Sequence, residues 1–220
     1  LFKPGSDWHY SLAIDVLGGV IEKATGKSLA DAVAEAVTGP LQMNDTSFTV
    51  ADAKRLATPY CDGKSEPKRM GEPEEVKSKD SETIYSPARV FDKSSFQSGG
   101  AGLVGTADDY LKLLEAIRTK NPALLNAQWI DAMRTNQVGD LKAKQTPGWG
   151  FGFGSGVMIE TNKKYPYSKG TLEWGGAYGS HWFMDPEQEI SVVELTNTTL
   201  EGLFGRFSKD VANAVYDGHK

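Results

Sequence analysis

Two short segments near opposite ends of the chain carry residue types suited to acyl transfer. Tyr10 stands just before an apolar stretch with helical spacing, and a phenol carries a proton effectively only where cationic neighbours stabilise the phenolate. Trp174-Gly175-Gly176-Ala177 would form a strand edge whose small residues let a substrate approach backbone N–H donors aimed at a developing oxyanion. On residue types alone, each segment also has a structural explanation. One is a tyrosine that packs at a helix start, and the other is a glycine-rich turn under an aromatic ring.

Helical periodicity places Tyr10 at the entrance of a helical hairpin. Apolar residues predict a helix over about residues 12–24, ended by a left-handed cap at Gly26. Ser28 is placed as the N-cap of a second helix, which Gly39-Pro40 ends. From residue 44 to 102 the periodic signal weakens and prolines recur. We therefore expect a long, partly mobile loop, whose polar part over 63–86 is either a lid or without fixed structure.

The second half of the chain changes from helical to alternating periodicity. Thr106 caps a helix predicted over about residues 107–119, and a shorter helix follows near 124–133. Alternation from Trp149 onward predicts about three or four antiparallel strands, with a turn at 185–187, and then an amphipathic helix. This order indicates an α+β fold with one domain over 1–220. Residues 1–145 would form a mostly helical lobe that includes the 44–102 loop, and residues 146–220 the strands and the terminal helix.

Composition argues against several classes of function. The chain has 220 residues and a net charge of −5 with acidic and basic residues interleaved, which argues against a nucleic-acid partner. No apolar run approaches the roughly 20 residues that a membrane helix needs. Cys61 is the single cysteine and no Cys/His cluster has zinc spacing, so neither a metal nor an organic cofactor is expected. The first residues show no signal-peptide pattern, and the sequence does not distinguish the cytoplasm from the periplasm.

Five short segments follow one another in a specific order. They are Pro4-Gly5-x-x-Trp8-x-Tyr10-Ser11-x-x-x-Asp15-Val16-Leu17-Gly18, Thr25-Gly26-x-Ser28-Leu29, Pro40-Leu41-x-Met43-x-Asp45-Thr46, the glycine run that ends at Leu103, and Trp174-Gly175-Gly176. Their order and spacing resemble the class C β-lactamase superfamily, and within it most closely the esterases with a β-lactamase fold. The resemblance implies a β-lactamase/transpeptidase-like fold, with an antiparallel sheet, a C-terminal helix and a helical lobe. It also implies N-terminal strands and a nucleophile helix that are missing from this chain.

The resemblance assigns roles to two residues of the opening segments. Tyr10, together with the lysine of a Ser-x-x-Lys segment, would move the proton of the nucleophilic serine. The Ala177 N–H would be one oxyanion donor, and the N–H of that serine would be the other. Tyr10 can then work only if the lysine is supplied from elsewhere, since the Ser-x-x-Lys segment should precede Tyr10.

Two departures from the β-lactamase pattern bear on the substrate. The usual Tyr-x-Asn is replaced by Tyr10-Ser11-Leu12, which loses an amide, and the usual Lys-Thr-Gly is replaced by Trp174-Gly175-Gly176, which loses a cation. Both losses favour neutral esters over carboxylated lactams. Leu12 and Trp174 are expected to form an apolar pocket for an acyl or alcohol group instead.

A replacement nucleophile is not evident within the chain. The one literal Ser-x-x-Lys is Ser65-Glu66-Pro67-Lys68, where proline interrupts the helix that would have to present serine and lysine on one face. Gly154-Ser155-Gly156 is not a nucleophile elbow and falls in the predicted alternating strand. The histidines His9, His181 and His219 form no recognisable triad. His181 is predicted to be a strand residue near the site rather than a general base, and His219 a solvated tail residue.

Three hypotheses follow from these observations. The first is a serine hydrolase with a carboxylesterase-like acyl-enzyme mechanism, present here without its nucleophile and inactive alone; a β-lactamase or D-Ala-D-Ala peptidase is a variant of it. The second is a non-catalytic relative that binds a ligand or cell-wall peptide. The third is an interaction module that completes its fold with a separate polypeptide or by self-association, the expected partners being the missing N-terminal segment or a second copy. The expected substrate is a small ester or lactam, and apolar helix surface and sheet edge should be exposed.

Overall fold

The structure is a computed structural model that describes residues 2–63, 65–77, 82–141 and 147–219. Its helices are Ala13–Thr25 (α1), Leu29–Val33 (α2), Ala107–Arg118 (α3), Ala127–Met133 (α4), Glu201–Phe204 (α5) and Phe207–Gly218 (α6). A π-helical turn, Ala34–Thr38, continues α2, and 3-10 turns span Ala53–Arg55 and Pro87–Phe91. The strands are Tyr60–Cys61 (β1), Lys68–Arg69 (β2), Glu74–Lys77 (β3), Glu82–Tyr85 (β4), Trp149–Phe151 (β5), Gly156–Met158 (β6), Leu172–Gly175 (β7), Ser180–Asp185 (β8) and Ile190–Leu195 (β9).

The helices predicted over about 12–24 and 107–119 and the helix capped by Ser28 are confirmed, and local hydrogen bonds fix their ends. The helix predicted near 124–133 begins only at Ala127, and the single terminal helix predicted from the sequence is interrupted at Gly205, where the backbone is extended, and forms α5 and α6. Gly26 adopts φ 69° after α1, and its N–H donates to the Glu22 carbonyl. Ser28 caps α2, because its Oγ accepts from the Asp31 N–H at 3.1 Å. Thr106 caps α3 in the same way. The caps are short-range features, which explains why sequence alone locates them.

Replacing Ser28 by alanine is expected to lower the free energy of unfolding by about 1 kcal/mol, because the Asp31 N–H loses its acceptor at the start of α2. Denaturant unfolding of Ser28→Ala beside Ser28→Asn measures the effect, since asparagine restores a capping oxygen. If the asparagine variant lost as much stability as the alanine variant, the cap would not be the source of the loss.

Among the residues that the structure describes, the second half of the chain forms a five-stranded antiparallel sheet in the order β5-β6-β7-β8-β9. The prediction of about three or four strands is wrong, because the alternating pattern does not separate β6 from the strand before it. Gly154 adopts φ 97°, and the Gly152 N–H donates to the Ser155 carbonyl at 2.9 Å, so the chain reverses here. Gly154-Ser155-Gly156 therefore lies at a hairpin turn that leads into β6, and not within a continuous alternating strand.

The sheet has two distinct faces, because successive side chains of a strand point to opposite sides. One face packs on α6. Its buried cluster comprises Trp149, Met158, Tyr167, Phe183, Ile190 and Ala212. The other face packs on α3 and α4. Its buried cluster comprises Ile117, Ile130, Val157, Leu172 and Met184. The sheet thus lies between α6 on one side and the helical lobe on the other.

The segment predicted as a long loop over 44–102 contains two short hairpins, so that part of the prediction is wrong. Strand β1 pairs with β2, and β3 pairs with β4, both antiparallel. Cys61, Met70 and Tyr85 are buried together, with Val76 and Tyr178 packed against them. The hairpins escaped prediction because their strands are short and many of their side chains are charged, which leaves little apolar alternation to detect.

One face of α1 is apolar and exposed to solvent, with Ile14, Val16, Leu17 and Val20 among its exposed side chains. The prediction of an exposed apolar helix surface is confirmed by these residues. Large exposed apolar patches commonly mark surfaces that contact another protein segment, a ligand or a membrane. In the part of the chain that the structure describes, no helix has the length and apolar character needed to cross a membrane.

Candidate active site

Tyr10 and Trp174, from opposite ends of the chain, lie against each other. Their ring centroids are 5.7 Å apart and the rings are inclined by 39°. Tyr10 precedes α1 and is 60% exposed, while Trp174 stands in β7 and is half-buried. The two segments that the sequence singles out therefore form one surface site, with the phenol open to solvent.

Two further aromatic residues extend this site: Trp8, which belongs to the first family segment but has no role assigned from the sequence, and Phe151, which the sequence does not indicate as a site residue. The ring of Phe151 lies 5.2 Å from that of Trp174 in an edge-on arrangement, and Trp8 lies 5.0 Å from Phe151. Such ring pairs each stabilise a structure by about 0.5–1.5 kcal/mol beyond the area they bury. Alternation in 149–153 contained a partial signal, since it predicts a strand. Nothing in the sequence shows that this strand's side chains reach Trp174.

The start of α1 is fixed against the glycine run that precedes α3. The hydroxyl of Ser98 donates to the Asp15 carboxylate and accepts from the Ala101 N–H at 3.0 Å. Gly99 approaches α1 so closely that a Cβ there would lie 2.8 Å from the Ile14 carbonyl oxygen. The glycine run thus gives α1, and with it the backbone next to Tyr10, a defined position.

A tight turn over residues 176–179 joins β7 to β8. The Gly176 N–H donates to the Ser180 carbonyl at 2.7 Å, and the Gly179 N–H donates to the Gly176 carbonyl at 3.0 Å. Gly179 adopts φ 104°, and a Cβ there would lie 2.3 Å from the Thr198 carbonyl oxygen. Only glycine fits this position without a backbone shift. Ala177 lies at the exposed tip of the turn.

The peptide of Ala177 is held through its carbonyl. That oxygen accepts from the Leu200 N–H at 3.1 Å and from the Tyr85 hydroxyl at 3.4 Å. Tyr85 also packs edge-on against Tyr178, with ring centroids 4.9 Å apart, and burial raises the pKa of Tyr85. Among the described residues, the Ala177 N–H has no hydrogen-bond acceptor. A fixed peptide with an available N–H can donate to an oxygen of a ligand.

A cavity of about 210 Å³ lies beside this turn. It is lined mainly by apolar side chains, including Leu56, Pro59, Val90, Leu103, Val104 and the ring of Tyr178. Dry apolar cavities of about 150 Å³ already accept a molecule the size of benzene. The cavity can therefore take a small apolar group next to the Ala177 turn.

His181 lies on the face of the sheet opposite to the Trp174 side chain, between two carboxylates. Its Nδ1 is 3.1 Å from Glu194 Oε1, and its Nε2 is 3.3 Å from Glu173 Oε1. The residue is 5% exposed. Burial lowers the pKa of the imidazole, but the hydrogen bonds to Glu173 and Glu194 outweigh it and raise the pKa to about 9. His181 is a strand residue near the site, as the sequence predicts, and it is protonated at neutral pH.

Leu12 and the Ser65-Glu66-Pro67-Lys68 segment are the other residues that the sequence raises as site candidates. Leu12 stands at the N-cap of α1, two residues after Tyr10, and is 76% exposed. Ser65 lies in the exposed connection between β1 and β2, and the Lys68 Nζ forms an ion pair with Glu74 at 2.7 Å. They do not share a helix. In the described ranges, no group of His, Cys, Asp or Glu side chains is arranged to hold a metal ion.

Comparisons with known proteins agree with this architecture. The Beta-lactamase family model matches residues 1–213. Esterase EstB of Burkholderia gladioli is 46% identical over 219 residues, which cover 98% of this chain and 56% of EstB. The solved structure of EstCE1, a hydrolase with promiscuous acyltransferase activity, superposes with a TM-score of 0.93 at 42% identity, covering 98% of this chain and 58% of EstCE1.

A solved structure of lower sequence identity has the same fold. The LovD6 mutant of simvastatin synthase from Aspergillus terreus superposes with a TM-score of 0.79 at 20% identity, over 99% of this chain and 56% of that one. The chain thus spans just over half the length of these relatives. Its α+β fold is β-lactamase/transpeptidase-like, as the resemblance implied, and the chain belongs to the Beta-lactamase family.

Proposed function

We propose that the protein carrying this chain is a serine esterase that works through an acyl-enzyme. The observation that supports this function best is the contact of Tyr10 with Trp174, beside the turn that holds the Ala177 peptide. A proton carrier and an oxyanion donor are the two groups that acyl transfer needs besides a nucleophile. Two relatives, the esterase EstB and the hydrolase EstCE1, point to the same class of reaction.

The proposed reaction assigns a step to each of these groups. A serine supplied from outside these 220 residues attacks the ester carbonyl, and Tyr10, with a lysine from the same segment, accepts the serine proton. The Ala177 N–H stabilises the negative oxygen of the tetrahedral intermediate. The alcohol leaves with the proton returned by Tyr10, and water then cleaves the acyl-enzyme, with the proton of the water passing back through Tyr10.

Neutral esters are the proposed substrate class. The positions at which β-lactamases usually carry an amide and a cation hold Leu12 and Trp174, which offer apolar surface and no partner for a carboxylate. The cavity beside Tyr178 offers room for one small apolar group of the ester. Transfer of the acyl group to an alcohol instead of water is a second candidate activity, supported by the promiscuous acyltransferase activity named for the similar hydrolase EstCE1.

The test compares hydrolysis of 4-nitrophenyl butyrate and of a chromogenic cephalosporin by the protein expressed from its complete reading frame. We expect kcat/KM for the ester to exceed that for the cephalosporin by about 100-fold, the scale of one lost charge-assisted interaction. A cephalosporin hydrolysed faster than the ester would contradict the substrate class.

A second experiment locates the nucleophile. The 220-residue chain alone is expected to show no turnover, and a fluorophosphonate probe should label a serine outside residues 1–220 of the complete protein. Labelling of Ser65, or turnover by the isolated chain that is lost in Ser65→Ala, would show instead that the nucleophile lies within the chain.

A further inference from the structure

His181 joins three adjacent strands through a buried ionic bridge. It stands in β8, and its two ring nitrogens contact Glu173 of β7 and Glu194 of β9. Glu194 is 6% exposed, so the bridge lies in the interior. Removal of one partner from such a buried group leaves an uncompensated charge and is strongly destabilising, whereas the complete bridge has a defined geometry.

The position of His181 relates this bridge to the proposed site. His181 pairs directly with Gly175, the last residue of β7, and the turn that carries Ala177 begins at the next residue. Trp174 pairs with Trp182, so its side chain lies on the opposite face from that of His181. The imidazole therefore cannot contact a ligand on the Tyr10 side, and any influence on that ligand passes through the strand backbone.

The charges around His181 account for its protonation. Glu173 faces it from β7 and Glu194 from β9, and the Glu194 Oε2 is buried without a partner among the described residues. Burial raises the pKa of Tyr167, and the two carboxylates raise it further, so its neutral phenol faces the same cluster. From α6, Tyr216 stacks on Phe183 and donates to Asp185. The carboxylates of Glu173 and Glu194 would repel each other, and the imidazolium between them offsets that repulsion.

We propose that His181 is a positioning residue for ester hydrolysis: by bridging Glu173 and Glu194 it fixes the end of β7, and so the orientation in which the Ala177 N–H meets the substrate oxygen. This proposal rests on the proposed function. Displacement of a catalytic donor by about 1 Å can lower a rate by about 100-fold. A side chain on the far face of the sheet can therefore affect the rate without touching the substrate.

The test replaces His181 by glutamine in the complete protein, with His219→Gln at the exposed end of α6 as the matched control. We expect His181→Gln to lower kcat by about 10- to 100-fold with KM changed less than about threefold, and the control to change neither. Wild-type kcat should also fall as the pH rises through about 9, because His181, whose pKa the two carboxylates raise to about 9, loses its proton there and the bridge loses its cation. His181→Gln should lack that fall.

A double variant, His181→Gln with Glu194→Gln, keeps the test decisive if the single variant folds poorly, since it removes the unpaired buried charge. We expect kcat to remain low in the double variant. Recovery of wild-type kcat would show that the imidazolium is not needed, and would overturn the proposal. So would a kcat for His181→Gln within about twofold of wild type across this pH range.

Amide hydrogen exchange separates this proposal from the proposed function. In His181→Gln, protection of the Gly176 and Gly179 amides, which are hydrogen-bonded within the turn, should fall, while protection in the β5–β6 hairpin stays unchanged. If the wild-type protein hydrolysed no ester, the proposed function would fail, and the exchange data would still decide whether His181 holds this turn. Unchanged protection of the Gly176 and Gly179 amides would overturn the positioning role.

Discussion

Tyr10→Phe is expected to lower kcat for ester hydrolysis by about 1,000-fold, within the range that general acid–base groups supply. Phenylalanine retains the ring that packs 5.7 Å from Trp174, so the shape of the site and KM should change little. The loss would then report the hydroxyl alone. Steady-state kinetics with 4-nitrophenyl butyrate measures it, and the thermal unfolding temperature shows whether the variant is folded.

Tyr165→Phe provides a matched control for this substitution. Tyr165 stacks on Tyr167 and packs on Trp149, in the cluster on the α6 side of the sheet, away from Trp174. Loss of that hydroxyl should leave kcat unchanged. Full activity in a folded Tyr10→Phe protein would mean that another group moves the proton, and Tyr10 would then be only a packing residue at the start of α1.

Asp185→Ala is expected to lower the free energy of unfolding by about 3–4 kcal/mol. Asp185 is fully buried at the end of β8 and accepts from the N–H groups of Ser168, Glu187 and Gln188 and from the Tyr216 hydroxyl. Alanine leaves these donors without an acceptor in the interior. The substitution should thus loosen both the β8–β9 turn and the attachment of α6 to the sheet.

Tyr216→Phe separates the two parts of this network. It removes one donor and is expected to destabilise by about 1–2 kcal/mol. The double variant should lose less than the sum of the single variants, because the two groups share one hydrogen bond. Denaturant unfolding of wild type, the two single variants and the double variant measures the coupling. Strictly additive losses would show that Tyr216 and Asp185 do not stabilise each other.

The pH dependence of this stability follows from the carboxyl group. Burial opposes ionisation, but hydrogen bonds from Tyr216, Ser168 and Gln188 outweigh it and hold the pKa of Asp185 below its ordinary value. A lowered pKa means that the stabilisation is complete above the ordinary value and is lost as the pH falls through the lower one. The difference between wild type and Asp185→Ala should therefore be constant near neutral pH and shrink only in strong acid.

Sequence was most informative where structure is local. The caps at Ser28 and Thr106 and the glycine stop at Gly26 depend on contacts within one turn, and α1 and α3 were predicted almost to the residue. Strand β6 and the two small hairpins depend on partners distant in sequence, and their charged or glycine-rich segments carry little periodicity. They could be identified only in the folded chain.

In the candidate site, too, features that the sequence indicates can be separated from contacts that depend on the fold. The resemblance to the family's segments predicts that the segments of Tyr10 and Trp174 belong to one site, but it does not predict the contact between their rings. The contacts of Phe151 and Trp8 are not predictable from the sequence, because only the fold brings β5 and the N-terminal segment to Trp174. The bridge at His181 is not predictable either, because it requires the register of β7, β8 and β9. Register decides which side chains share a face, and a shift by one residue would separate Glu173, Glu194 and His181.

The hydrogen bond from Tyr85 to the Ala177 carbonyl connects the tip of the sheet to the β3–β4 hairpin. That hairpin is mostly exposed, and of its described residues only Val76 and Tyr85 pack in a small buried cluster. We therefore expect it to tolerate insertions and substitutions better than β7 or β8. A change in its length would shift Tyr85 and hence the Ala177 peptide, while Tyr10 and Trp174 stayed the same. If Ala177 is the oxyanion donor proposed above, a change in this hairpin would therefore act on the donor while leaving the proton carrier in place.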